Sequence, residues 1–301
     1  MLKVSAVAIT KNRIKDLRRC VNSLAEQTYP ISELIIVDSS DNDLTKSYVE
    51  EIKGSFDFQL IYVRQDKGGT AKARNLGMSK AHGDIIIFVD DDVLLDRNCV
   101  RELISVFLKD KEERIGGVCP YIEEKEKISK VREILQYIIG ILFFTDSWKK
   151  GVVTIAGWHS SLPQKSSFVE WLTTTCVAYR KGVVEEFKFD EKLDELSSYA
   201  YYEDLDLSYR VSRRYKLFLN ARARVVHNRS PIRSDPFEIM SVRIQNHYYL
   251  MNKHGFSKIA FWWSIFGSLI NRIALFLLNP SRQKYRELLG TLDGIWRIVR
   301  Q

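Results

Sequence analysis

Three consecutive carboxylates, Asp90, Asp91 and Asp92, close the run DIIIFVDDD (84–92). Side by side they repel one another, and a divalent cation relieves that repulsion; hard carboxylate oxygens suit Mg²⁺ or Mn²⁺. The same letters also spell an ordinary acidic turn in which Asp caps the next helix. A second acidic pair, Glu203–Asp204, stands near the start of YYEDLDLSYRVSRR (201–214). A carboxylate held within hydrogen-bond reach of a hydroxyl can take its proton as a general base. The structural alternative is an acidic helix start favoured by the macrodipole, with Arg210 in helix ion pairs. Ahead of the Asp triplet, GGTAKARNLGMSKAHGD (68–84) offers glycines, Lys72 and Arg74 to a diphosphate. It matches neither the P-loop nor the dinucleotide glycine fingerprint. IIVDSS ends another apolar run at Asp38, as a turn residue or as an acceptor for a base or ribose.

These residues need a scaffold, and the pattern supplies one. Short runs that are apolar throughout, at 4–10, 33–40, 58–65 and 84–92, alternate with helical patterns at 14–27, 44–52 and 70–81. Apolar strands separated by amphipathic helices predict a mainly parallel sheet covered on both faces, with ligands at the carboxyl ends of its strands. After Asp92 the rhythm changes. A helix is expected at 100–109, strands at 152–156, 173–180 and 216–226, and a helix at 201–214. The last part reads as helical: 235–254, then the strongly apolar 258–278, then an amphipathic basic tail beyond Pro280. The expected organisation is two successive halves of one α/β domain, 1–95 and 96–230, followed by a C-terminal helical region, 231–301.

The bulk properties narrow the classes. With 301 residues, 45% of them hydrophobic, the chain can bury a sizeable core, and its 28% charged and 12% aromatic content is that of a globular protein. A net charge of +8 implies anionic partners: nucleic acid, anionic lipid or phosphorylated small molecules. Cys20, Cys99, Cys119 and Cys176 are scattered, so buried thiols are expected rather than a disulfide framework or a zinc site. No apolar signal-peptide core follows Met1, so the body of the protein is expected in the cytosol.

Five segments then carry a resemblance. AVAITKNR (6–13), IIVDSSDND (35–43), GGTAKARNLGMSKAHGDIIIFVDDD (68–92), FDEKL (189–193) and EDLDLSYR (203–210) occur in the order and spacing of family 2 glycosyltransferases, over about residues 3–230. The likeness is to rhamnosyltransferase-like, polysaccharide-building members. It implies a GT-A fold, an α/β Rossmann-like mixed sheet flanked by helices. It implies transfer of a sugar from a nucleotide diphosphate donor, UDP- or dTDP-linked. By that resemblance Thr10 lines the base pocket, Asp38 bonds the base, and Arg74 sits near the donor phosphates or base. Asp91 is a ribose-facing or first motif carboxylate, Asp92 is the metal ligand, and Asp90 supports them. His227, in RVVHNRS, resembles a further metal or diphosphate contact; a structural histidine is its other reading. Asp204, with Glu203 second, resembles the general base of inverting members, although the residues alone leave a retaining outcome open. The segment TTTCVAYRK (173–181) departs from the Gly- or Asn-containing loop of many relatives, which bears on sugar specificity. Trp171 is read either as a stacking platform for the acceptor sugar or as core.

Residues 259–278 approach the length of a bilayer span but contain Asn271 and Arg272, and Trp262 and Trp263 suit an interface. With the basic tail beyond, the reading is an interfacial helix on an anionic leaflet, peripheral on the cytoplasmic face; a buried or oligomer helix is the alternative. The apolar run 134–144 is too short to span and can join the same surface. A membrane location would make the acceptor a lipid-linked saccharide or polyprenyl phosphate. Three rivals are weighed. A sugar-phosphate nucleotidyltransferase lacks its Gly-rich basic loop after the first strand. A non-catalytic nucleotide-sugar or membrane scaffold leaves Asp92 and Asp204 without a purpose. A nucleic-acid binder explains the charge but not the acidic site.

Overall fold

The computed structural model describes residues 1–124, 130–197, 200–228 and 235–300. In chain order the elements are β1 (Val4–Thr10), α1 (Ile14–Ala25), β2 (Glu33–Asp38), α2 (Leu44–Glu51), β3 (Gln59–Arg64), α3 (Thr70–Met78), β4 (Ile85–Asp90) and β5 (Val93–Leu95). Then follow α4 (Cys99–Lys109), β6 (Ile115–Glu124), α5 (Lys130–Leu142), β7 (Ser167–Val169), β8 (Cys176–Arg180), α6 (Lys181–Phe187), a 3-10 turn (Glu191–Asp194), α7 (Glu203–Ser212) and β9 (Lys216–His227). The chain ends with α8 (Pro236–His254), α9 (Lys258–Leu278) and α10 (Arg282–Val299). It forms two compact units: Met1–Lys127 with Pro163–Ser230, and Ile128–Leu162 with Pro231–Gln301.

The first unit is built on one mixed sheet in the order β3-β2-β1-β4-β8-β6-β9-β5, with β7 on β9. β3, β2, β1 and β4 run parallel, as their apolar faces predict; β8 enters antiparallel to β4. Ile85, Ile86, Ile87 and Phe88 of β4 are fully buried, which is possible only with layers on both faces of the sheet. Burying each such side chain contributes about 1.5–3 kcal/mol. α1 covers one side with Leu17, Cys20, Val21 and Leu24, the stripe its sequence displays. α3 approaches β1 closely at Gly77, where a Cβ would stand 2.3 Å from Val7 Cγ1. All four cysteines are free and buried.

The strand expected at 152–156 is not formed. The backbone N–H of Thr154 bonds the carbonyl of Trp158, and Gly157, at φ +79°, reverses the chain, leaving one bridge between Val153 and His159. Gly is the residue that takes such a left-handed conformation without steric cost. Strands β5, β6 and β7 and helix α6 have no counterpart in the sequence reading. β6 contains Gly116, Gly117 and Pro120, which blur its apolar alternation, and its register on β9 shifts beside them. β5 and β7 have only three residues each.

In the second unit, side chains of Asp235, Ser257 and Ser281 cap α8, α9 and α10 by accepting the N–H of Phe237, Ala260 and Lys284. Ile244, Met251, Phe261, Ile265 and Ile298 form its core, with Trp158 packed against them. α10 approaches α8 through Gly290, where a Cβ would meet the carbonyl oxygen of Phe237 at 2.1 Å. Arg272 of α9 pairs with Glu287 of α10 at 2.6 Å.

Candidate active site

β1 and β4 are parallel neighbours, and the chain leaves β1 toward β2 and β3 before returning to β4 on the other side. Their carboxyl ends therefore lie at a topological switch point, where open α/β sheets bind ligands. Thr10 ends β1, and its hydroxyl donates to Asp91 Oδ2 at 2.7 Å. Arg13, just past β1, reaches Asp91 and Asp92, each at 3.4 Å. The antiparallel pairing of β5 with β9 sets Val93 opposite His227. That pairing brings His227 Nε2 to 3.2 Å from Asp92 Oδ1 across 135 residues of chain. The N–H of Asn228 bonds the carbonyl of Asp92 at 2.9 Å and closes the corner. Burial pushes the Asp91 carboxyl up to about 7; the Thr10 hydroxyl and Arg13 oppose the rise, and Asp92 and Asp90 add to it.

Arg74 ties the two acidic motifs together. It is 4% exposed. One nitrogen donates to Asp90 Oδ1 at 2.9 Å and another to Glu203 Oε1 at 2.6 Å. A guanidinium is suited to this because its planar fork presents several fixed donors and keeps its charge. Burial raises Glu203 to about 8 against the pull of Arg74. Tyr202, immediately before it, holds φ +73°, a left-handed backbone rare outside glycine, and turns the chain so that α7 begins at Glu203. Asp204 is only partly buried, and its Oδ1 accepts the N–H of Leu205 at 2.8 Å. Asp206 and Arg210, one turn apart, form the expected helix ion pair at 2.7 Å.

The contacts thus form two groups, Thr10, Arg13, Asp91, Asp92 and His227 on one side and Asp90, Arg74 and Glu203 on the other, joined through the consecutive carboxylates Asp90 and Asp91. Asp38 ends β2 beside Thr10 in register. Its fully buried carboxylate accepts from the Tyr62 hydroxyl at 2.9 Å, Arg64 at 3.0 Å and the Ser40 N–H at 2.9 Å. Trp171 is 6% exposed. Its ring is packed inside the protein. Among the described residues no group of three His, Cys, Asp or Glu side chains is placed to hold a metal ion. The Asp92–His227 pair still fits a divalent cation, because Mg²⁺-type sites take one or two protein ligands and complete their shell with water and substrate phosphates.

One acidic residue was not singled out from the sequence. Asp194 accepts the N–H of Ala71 at 3.3 Å and of Lys72 at 2.9 Å, the first turn of α3. It fills the N-terminal end of the helix that the glycine-rich segment opens. Its only signal was position in an acidic stretch after FDEKL, indistinguishable from a solvated loop.

A GT-A-type site on a mixed α/β sheet defines a class of sugar-transferring proteins, and comparison places the chain within it. The chain belongs to glycosyl transferase family 2, whose model matches residues 5–171. It is 29% identical over 104 residues to the poly(ribitol-phosphate) β-N-acetylglucosaminyltransferase TarS of Staphylococcus aureus (strain Mu50), covering 34% of this chain and 18% of that relative. The match therefore spans under a fifth of the relative's length. In fold it is similar to GalNAc-T7 solved with UDP, GalNAc and Mn²⁺, at TM-score 0.64 and 19% identity, covering 84% of this chain and 48% of that one. It is also similar to the mannosyltransferase PcManGT of Pyrobaculum calidifontis solved with GDP-Man and Mn²⁺, at TM-score 0.63 and 16% identity, covering 98% and 88%.

Proposed function

We propose that this protein moves a sugar from a nucleotide diphosphate donor, UDP- or dTDP-linked, to a hydroxyl of a lipid-linked or polymeric glycan, with inversion. The observation that carries the reading is Arg74, which joins the Asp90–Asp92 motif to Glu203 of the second acidic motif through 2.9 and 2.6 Å contacts. Two motifs 113 residues apart in sequence so become one site.

Asp204 is the general base. Glu203 is turned inward, raised to about 8 and held by Arg74, so it is poorly placed to collect a proton at neutral pH. Asp204 beside it is partly open. As the acceptor oxygen attacks the anomeric carbon, its proton passes to Asp204; the bond from that carbon to the phosphate oxygen breaks and the nucleotide diphosphate leaves with the electron pair. One displacement from the opposite face inverts the centre. Asp92 and His227 would hold a Mn²⁺ or Mg²⁺ ion, with Asp90 and Asp91 beside them. Such an ion supplies Lewis-acid stabilisation of the departing diphosphate. Thr10 and Asp38, at the carboxyl ends of β1 and β2, line the nucleoside side. The fold neighbours solved with UDP, GalNAc and Mn²⁺ and with GDP-Man and Mn²⁺ support the donor class and the ion.

A panel of UDP-, dTDP- and GDP-sugars, titrated with Mn²⁺, with Mg²⁺ and with chelator, tests this. One donor is expected to bind with metal and to bind at least tenfold more weakly under chelation. No binding of any nucleotide sugar in any condition sinks the reading.

The acceptor side rests on the second unit. α9 is long and apolar enough to cross a membrane by length and composition, and Ile259, Trp263, Phe266, Ile270 and Leu277 are exposed along it. Arg282, Arg297 and Arg300 are exposed in or beside α10. An apolar face flanked by basic side chains fits an anionic leaflet on the cytoplasmic side. The protein is expected to co-sediment with anionic vesicles more than with neutral ones, less so at high salt, and Phe266→Glu is expected to weaken it. Equal failure to bind both vesicle types overturns the membrane reading.

A further inference from the structure

α3 does more than carry Arg74. Its N-cap, Gly69, provides no side chain, and the first turn is capped from far away by Asp194. A Cβ at Gly69 would stand 2.2 Å from Asp194 Oδ1, so the close approach requires glycine there. One residue into the helix, the Thr70 hydroxyl accepts the N–H of Ala200 at 3.0 Å. One turn further, Asn75 donates to the carbonyl of Phe189 and to Glu191 Oε1, and accepts the N–H of Phe189, all at 2.9 Å. Three side-chain anchors on one short helix therefore hold the chain at 189–191, at 194 and at 200. Four residues after the last anchor stands Asp204.

We propose that Asp194 is a positioning residue for the transfer reaction: by docking on α3 it fixes the approach to α7 and so the place of Asp204 relative to the donor motif. This deepens the proposed function and rests on the reading of Asp204 as the base. The geometry favours a positioning role because Asp194 touches backbone N–H groups of α3 and none of Asp90, Asp91, Asp92 or His227. Asp194 also neutralises the positive end of α3, so the anchor has both hydrogen bonds and dipole in its favour. Small displacements of a reacting group cost rate rather than binding, about 10²-fold for 1 Å.

The test is steady-state kinetics of the full chain carrying Asp194→Ala, Asp194→Asn, Gly69→Ala or Asp204→Asn, with the donor identified by the panel and its binding and thermal midpoint measured in parallel. Asp194→Ala is expected to lower kcat about 10–100-fold with donor KM within about twofold of wild type. Asp194→Asn, which still caps a helix well, is expected to recover most of the loss. Gly69→Ala pushes the carboxylate off the helix and is expected to reproduce the kcat loss in a second, chemically different way. The inference is overturned if Asp194→Ala leaves kcat unchanged, if its loss falls on donor KM, or if Asp194→Ala and Gly69→Ala differ in which constant they alter. If Asp194→Ala does not fold, Asp194→Asn and Gly69→Ala carry the same decision. Unimpaired turnover in Asp204→Asn would instead remove the base reading on which the positioning role stands.

Discussion

Asp204→Asn is expected to bind donor as wild type does and to turn over about 10²–10⁴-fold more slowly, the usual contribution of a positioned general base. The substitution keeps the shape and the hydrogen bond to the Leu205 N–H, which an amide oxygen can accept as the carboxylate does. It removes only the ability to take a proton. In the proposed site the donor is held by groups at the ends of β1, β2 and β4, so a calorimetric Kd should stay within about twofold while kcat falls. Glu203→Gln is the informative contrast. Its carboxyl is committed to Arg74, so the change is expected to show in stability as much as in rate. If Asp204→Asn retains wild-type kcat and Glu203→Gln loses it, the roles of the two carboxylates are reversed.

Above about pH 8, where Glu203 is ionised, Arg74→Met should cost about 3–5 kcal/mol of stability, the range for stranding buried charge by removing one partner. The loss strands two groups at once, Asp90 and Glu203, and the Arg74 side chain itself is buried at 5% exposure. The pH dependence has a definite sign. Glu203 is raised from 4.5 to about 8 in the folded protein. Its contribution to stability is therefore fully present below its unfolded pKa and is lost as pH rises through about 8. Without Arg74 the ionised carboxylate is uncompensated, so the penalty of Arg74→Met should be larger at pH 9 than at pH 6. Urea midpoints of wild type and variant at the two pH values read this directly; a penalty that shrinks with rising pH would contradict the arrangement. Arg74→Lys should rescue only in part, because one ammonium cannot reproduce the fork between Asp90 and Glu203.

The two effects separate chemistry from scaffold. Asp204 is partly open, so its replacement is expected to leave the structure intact, whereas Arg74 is a buried bridge whose removal is expected to unsettle the site before any substrate arrives.

Period and composition alone determined the parallel half of the sheet. β1, β2 and β4 are buried along almost their whole length because both faces of the sheet are covered there, β3 is the half-exposed edge, and each of the four stands within one or two residues of where its pattern places it. α1, α7, α8 and α9 were legible for the same reason: local periodicity and capping residues such as Asp235 and Ser257 act over a few positions. Asp90, Asp91, Asp92, Glu203 and Asp204 announced themselves as carboxylate clusters. What the tertiary structure decided is everything that depends on contacts between distant segments. The reach of His227 to Asp92 exists through the β5–β9 pairing, and β5 is a three-residue strand with no periodicity to read. Arg74, expected near the donor phosphates or base, is placed by tertiary contacts between two carboxylates supplied by β4 and α7. Trp171 reads from sequence as either a sugar platform or core, and its burial comes from packing against distant segments. Asp194 could not be told from a solvated acid because a helix cap supplied across more than a hundred residues leaves no trace in local spacing. Local patterns encode which faces are buried; which side chains then meet is set by strand order and register, which single-residue chemistry does not contain.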